Sequence, residues 1–143
     1  MTYQEHEDKG REKYDRICTI PHEFTTDKFA KWDVSATGKS HTFNVEIKDR
    51  DIPFTKYEAD GYLLEKNKYD ALLEAYKETG SIPVYLNFFQ ANTGIWWDLR
   101  GINPKWEKRW CTSTTAEGTY GQNKELKDVT FVFPNDGRKF RYE

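Results

Sequence analysis

FAKWDVSATGKSHTFNVEIKDR, residues 29–50, is the stretch that decides the fold. From His41 to Arg50 the residues alternate. Phe43, Val45 and Ile47 point one way, while Asn44, Glu46 and Lys48 point the other, the period-2 signature of a strand. Phe29 to Ala36, with Trp32 and Val34, reads as a second strand, and Thr37-Gly38-Lys39-Ser40 between the two reads as a turn. The unit is a β-hairpin. Asp33 sits among apolar neighbours on the first strand, although Asp is depleted in strands. Glu46 and Lys48 share one face of the second.

Outward from the hairpin, Thr2 to Cys18 predicts a charged helix with a thin stripe of Gly10, Tyr14, Ile17 and Cys18. Pro21 ends any helix there. Glu65 to Thr79 predicts a second helix, with Tyr69, Leu72, Leu73 and Tyr76 on one face and Gly80 as its C-terminal cap. Ser81–Phe89, Ile95–Leu99 and Val129–Phe133 read as strands. Asn92-Thr93-Gly94 reads as a hairpin loop with Gly94 at a positive-φ position. Pro104 to Trp110 reads as a loop or short helix, and the C-terminal residues as a charged tail. This order predicts an α/β fold, a mixed central sheet flanked by helices. With 143 residues and neither repeat nor linker, one domain, 1–143, is expected.

The formal net charge is −2, so the bulk basic field common to nucleic-acid binders is missing. Any such contact must come from local clusters. Cys18 and Cys111 have no CxxC or Cys/His ligand spacing, which argues against zinc, and they read as reduced, buried thiols. No apolar leader or membrane-length run is present, so a cytoplasmic location away from membranes is expected. His6, His22 and His41 show no ligand spacing and read as surface or turn residues.

Pairing the hairpin strands could bring Asp33 close to Glu46. Two carboxylates so placed repel unless a cation lies between them. Mg²⁺ takes oxygen ligands, typically one or two carboxylates plus waters and a phosphate. A lysine beside such a site can orient or deprotonate a water, or stabilise developing negative charge. An E-x-K pair is also common on solvated sheet faces, so the order of the surrounding elements adds weight.

A helix, a strand with Trp32-Asp33-Val34, a turn, a strand with Val45-Glu46-Ile47-Lys48, then a helix and a further strand resembles the core of the PD-(D/E)XK nucleases. The stretch from Gly61 to Tyr69 looks like the entry to that family's second core helix. The resemblance covers about residues 11–89, with no Pro before Asp33. It implies a restriction-endonuclease-like fold with an αβββαβ core and extra C-terminal strands. It further implies a DNA endonuclease using Mg²⁺, or Mn²⁺ as a substitute, with Asp33, Glu46 and the carbonyl of Ile47 binding the metal. Lys48 would assist the attacking water. A glutamate on the first helix would join them, Glu12 first and Glu7 next.

Arg50, Lys56, Lys66 and Lys68 could line a phosphate track. Lys105, Lys108 and Arg109, interleaved with Trp106 and Trp110, could bind phosphate and stack on bases. An edge that packs those tryptophans inward is the favoured reading of that segment. So short a chain would take its specificity from DNA structure, a homodimer or a partner protein. Small Holliday-junction resolvases of this fold work as dimers, but their basic character is missing here. The alternative is a non-catalytic nucleic-acid- or protein-binding module that keeps the fold, favoured by the near-neutral charge and abundant aromatics.

Overall fold

A computed structural model describes residues 3–26, 31–112 and 124–143. Along the chain it shows α1 (Tyr3–Ile17), β1 (His22–Phe24), β2 (Val34–Thr37), β3 (Thr42–Asp49), β4 (Tyr62–Glu65) and α2 (Lys66–Thr79). There follow β5 (Ile82–Phe89), β6 (Thr93–Asp98), β7 (Glu107–Thr112), β8 (Lys124–Val132) and β9 (Arg138–Arg141). Six strands form one sheet in the order β1-β2-β3-β5-β6-β9, and β4-β8-β7 form a second. In the large sheet only β3 and β5 run parallel. A parallel pair needs a long crossover, and α2 lies within it.

Side-chain alternation divides the large sheet into two faces. Val45 and Ile47 of β3, with Ile82, Val84, Leu86 and Phe88 of β5, pack on one side with Tyr14 of α1. Tyr85, Phe89, Ile95 and Trp97 pack on the other with Leu72 of α2 and with Tyr62, Leu64 and Val132 of the small sheet. Every residue of β5 is buried, as a strand covered on both faces must be. Gly10 lets α1 lie close on β3, since a Cβ there would stand 2.9 Å from Ile47 Cγ2.

The hairpin and both helices fall where the sequence predicts them, and Gly80 donates its N–H to Tyr76 O at 2.8 Å. Several expectations need correction. Among the described residues regular pairing in β2 begins at Val34, so Lys31, Trp32 and Asp33 are not part of the regular strand; Phe29 and Ala30 lie outside the described residues. Tyr62–Glu65 is a strand of the small sheet, and α2 starts after it. Of the segment Pro104 to Trp110, the first three residues are irregular as the loop reading has it, but Glu107 onward is strand β7, and the expected tail contains β9. In the β5–β6 turn the positive φ angles fall on Ala91 and Asn92. Gly94 instead makes room for the Phe140 ring, which would meet a Cβ at 2.4 Å. Cys18 and Cys111 are unpaired, and both are half-buried rather than fully buried.

Candidate active site

Asp33 immediately precedes β2. The regular ladder ends at Val34↔Val45, and just beyond it the Asp33 side chain lies beside that of Glu46. Asp33 stays tied to the hairpin by its backbone, donating its N–H to Val45 O at 3.0 Å and accepting from Thr25 N at 2.8 Å. Its carboxylate replaces the missing ladder partner, because Oδ2 accepts the N–H of Ile47 at 2.7 Å. Oδ1 faces Arg11 Nη2 of α1 at 3.4 Å. Arg11 is fixed in turn by Thr25, through the carbonyl oxygen at 2.7 Å and Oγ1 at 3.3 Å. A buried acid held by a backbone donor and a guanidinium is satisfied without any further ligand.

Glu46 is less well provided for. It is only 8% exposed, and its Oε1 is buried with no hydrogen-bond partner. Lys68 Nζ of α2 stands 3.9 Å from that oxygen, beyond hydrogen-bonding distance. Burial pushes the Glu46 carboxyl well above the usual range, and the Asp33 charge adds to it; Lys68 and Lys48 pull the other way. Glu7 of α1 is raised by its own burial and then by Asp33, with Arg11 and Lys68 opposing.

These groups line one cavity of about 220 Å³, shared by Glu7, Asp33, Glu46, Ile47 and Lys48. The α1 carboxylate of this cavity is Glu7. Glu12, the first choice from sequence, is exposed on α1 and does not line it. The helical periodicity carried the signal: Glu7 lies three and seven residues before Gly10 and Tyr14, the buried positions of α1, whereas Glu12 lies round the side. His6 also lines the cavity, which corrects its reading as a plain surface residue.

Among the described residues, no three His, Cys, Asp or Glu side chains gather to enclose one ion. Two adjacent carboxylates, one with an unpartnered buried oxygen, match the donor set of Mg²⁺, which leaves its other positions to water, a carbonyl or a phosphate. The residues present fit such an ion.

The cations expected to touch nucleic acid are placed differently from one another. Arg50 is turned inward: its guanidinium donates to Asn87 Oδ1, to Leu63 O at 2.9 Å and to the Tyr85 hydroxyl at 3.0 Å. It clamps β3 to β5 and β4 and is committed to the fold, although it borders the cavity. Lys66 pairs with Asp70 and lies over the Trp106 ring at 5.5 Å. Lys56 is exposed and lies over the Tyr57 ring, and Lys68 faces Glu46. On β7, Lys108 pairs with Asp128 at 2.9 Å and Arg109 with Glu107 at 3.3 Å. Trp106 packs edge-on against Tyr69. Trp110 is 71% exposed, opposite Leu126 across the strand pair, so only one of the two tryptophans packs inward as expected.

No protein-family model matches the sequence, and no curated protein matches it either. Among solved structures the chain is similar to Hjc of Archaeoglobus fulgidus, a Holliday junction resolvase from an archaeal hyperthermophile. The two are 10% identical, the likeness covers 92% of each chain, and the TM-score is 0.52. At this identity the likeness is one of fold. It agrees with the fold drawn from the hairpin: a restriction-endonuclease-like α/β architecture, a mixed central sheet flanked by helices.

Proposed function

We propose that the chain is a metal-dependent nuclease that hydrolyses DNA phosphodiester bonds in the cavity between α1 and the β2–β3 hairpin. The observation that carries this reading is the buried, unpartnered Glu46 Oε1 beside Asp33. Leaving a buried polar group unsatisfied costs about 1–3 kcal/mol; Glu46 Oε1 shares that condition with Arg11 Nε, Asn87 Nδ2 and the Tyr142 hydroxyl, but of these four atoms it alone belongs to an acid that lines the cavity. The overall likeness to a nuclease that acts on branched DNA supports the substrate class.

Asp33 and Glu46 would hold Mg²⁺, or Mn²⁺ in its place, with the Ile47 carbonyl as a further donor. Bound there, the ion would neutralise charge on the phosphate and on the leaving oxygen. Arg11 and the Ile47 N–H fix the Asp33 carboxylate before any ligand arrives, so little reorganisation is needed. Lys48 lies two residues beyond Glu46 on the same strand and lines the same cavity; it would orient or deprotonate the attacking water. Glu7 would complete the acidic wall from α1. Specificity would come from DNA shape, from a homodimer or from a partner protein, because the committed Arg50 leaves few cations beside the cavity.

One observation favours a second reading, a non-catalytic binding module. Both acids already face a cation, Arg11 for Asp33 and Lys68 for Glu46, as in a silent site. Cleavage assays separate the two readings. Supercoiled, linear, single-stranded and four-way-junction DNA are incubated with Mg²⁺ or Mn²⁺ and the native protein, Glu46→Gln or Lys48→Ala. Metal-dependent cleavage that each variant lowers by at least about 100-fold is expected, the range for loss of an acid–base or electrostatic group. Folded native protein that cuts none of these substrates would transfer the argument to the binding module.

A further inference from the structure

Asp33 and Glu46 each form an ion pair with a cation from a different helix, Arg11 of α1 and Lys68 of α2. Arg11 is locked: it makes two contacts with Thr25 besides the one with Asp33, and lies over the Phe24 ring at 5.5 Å. Moving it would forfeit all of these. Lys68 has a different character. Its side chain is 20% exposed, its ammonium stands 3.9 Å from Glu46 Oε1, and that oxygen keeps no hydrogen bond. It balances charge without filling the acceptor.

We propose that Lys68 is an exchangeable counter-ion: its ammonium neutralises Glu46 in the metal-free protein, yields to a divalent cation, and then serves the phosphate of bound nucleic acid. The inference rests on the metal-dependent reading of the site. Coulomb's law sets the direction of the exchange. A divalent ion at a contact distance of about 2.1 Å carries twice the charge at roughly half the distance of the ammonium, so its attraction to Glu46 is about fourfold stronger. The two cations then repel, and the lysine, whose ammonium makes no hydrogen bond to a described residue, swings away on its flexible stem while Arg11 stays bonded to Thr25. Lys68 lies in the first turn of α2, so the freed ammonium stays near the cavity. Metal and nucleic acid thereby favour each other's binding.

The test uses the whole chain. Mn²⁺ affinity is measured by calorimetry, without nucleic acid, for the native protein, Lys68→Met and Lys66→Met. Lys66 is in the same helical turn but is paired with Asp70. Lys68→Met is expected to bind Mn²⁺ about tenfold more tightly, as removal of a competing charge near 4 Å predicts, and Lys66→Met within about twofold of the native value. The second readout is anisotropy of a short labelled DNA duplex, in the Lys48→Ala background to prevent hydrolysis. Mn²⁺ should strengthen DNA binding when Lys68 is present, and strengthen it at least about threefold less in Lys68→Met. Circular dichroism confirms folding, and Lys68→Gln replaces Lys68→Met if the latter fails to fold. Unchanged or weaker Mn²⁺ binding in the variant, or an unchanged gain in DNA affinity, overturns the exchange while leaving the metal site standing. A native protein that binds no Mn²⁺ removes both.

Discussion

Gly10→Ala puts the contact between α1 and the hairpin to the test. The new Cβ would lie 2.9 Å from Ile47 Cγ2 and 3.7 Å from Asp49 Cβ, whereas carbon pairs settle at about 3.5–4.0 Å. Ile47 cannot swing aside, because Cγ2 sits on the branch point of a stiff side chain in a strand paired on both edges. The helix must therefore rise by roughly half an ångström or more. Overpacking of this kind costs about 1–3 kcal/mol, and the better helix propensity of Ala returns about 1 kcal/mol. The expected result is a net loss of about 1 kcal/mol in urea unfolding followed by circular dichroism. Gly101→Ala is the control, since a Cβ there meets nothing within 4 Å; its stability should change little or rise. The same lift draws Glu7, one turn earlier on α1, away from Asp33, so any cleavage activity should fall more than stability does. A Gly10→Ala protein more stable than the native one would refute the tight approach, and with it the placement of Glu7 against Asp33.

In the presence of a chelator, Glu46→Gln should stabilise the protein at pH 8. The folded-state carboxyl is raised above 4.5 by burial and by Asp33. Stability is thus full below the unfolded value and is lost as pH rises through the folded one, by about 1.4 kcal/mol for each tenfold change in the dissociation constant. The melting-temperature gap between variant and native protein should close by about pH 4; a gap that is constant with pH would contradict the assignment. Arg50→Met should cost about 2–4 kcal/mol in urea unfolding, from the loss of charged hydrogen bonds to Asn87, Leu63 and Tyr85. Arg50→Lys should restore little, because an ammonium cannot reproduce the fork; full restoration by Lys would count against the clamp. Lys127→Met should cost about 3–5 kcal/mol, as it strands the buried Glu65 carboxylate. Adding Glu65→Met should recover most of that loss, and a double variant no better than the single one would exclude a paired buried charge.

How much could be read from the sequence depends on what holds each element. The β2–β3 hairpin carries its own evidence, a clean alternation from Phe43 to Lys48 and a Gly-containing turn, so the facing of Asp33 and Glu46 follows from local pattern alone. The apolar face of α2 is legible for the same reason. The small sheet is not. Glu107–Thr112 is rich in charge and gains its strand form only by pairing with β8, and Tyr62–Glu65 is too short to be told from the helix it feeds. β9, Arg138–Arg141, reads as a tail until Phe140 is seen over Gly94. Strand preference is a property of such surroundings more than of the residues. The cations fail for a related reason. Arg50 and Lys68 look alike in a list of basic residues, yet one is tied into three elements and the other faces a carboxylate, and only long-range packing separates them.

That separation bears on how the site could work. The groups on the β3 side are held in place: Asp33 by Ile47 and Arg11, and the end of β3 by Arg50 bridging to β4 and β5. Against this wall the Glu46 carboxyl is raised first by burial and then by the Asp33 charge, and its Oε1 accepts no hydrogen bond. Lys68 is the loosely held group facing them, with one long contact and partial exposure. On the proposed exchange, a divalent cation would meet an Asp33 carboxylate already positioned, and the Lys68 ammonium would be released beside the cavity. If the site were only structural, Lys68 would be expected to close to hydrogen-bonding distance and satisfy Glu46, as Lys127 does for Glu65 at 2.5 Å. The contrast between these two lysine–glutamate pairs in one molecule, one hydrogen-bonded and one not, sets the Glu46 oxygen apart.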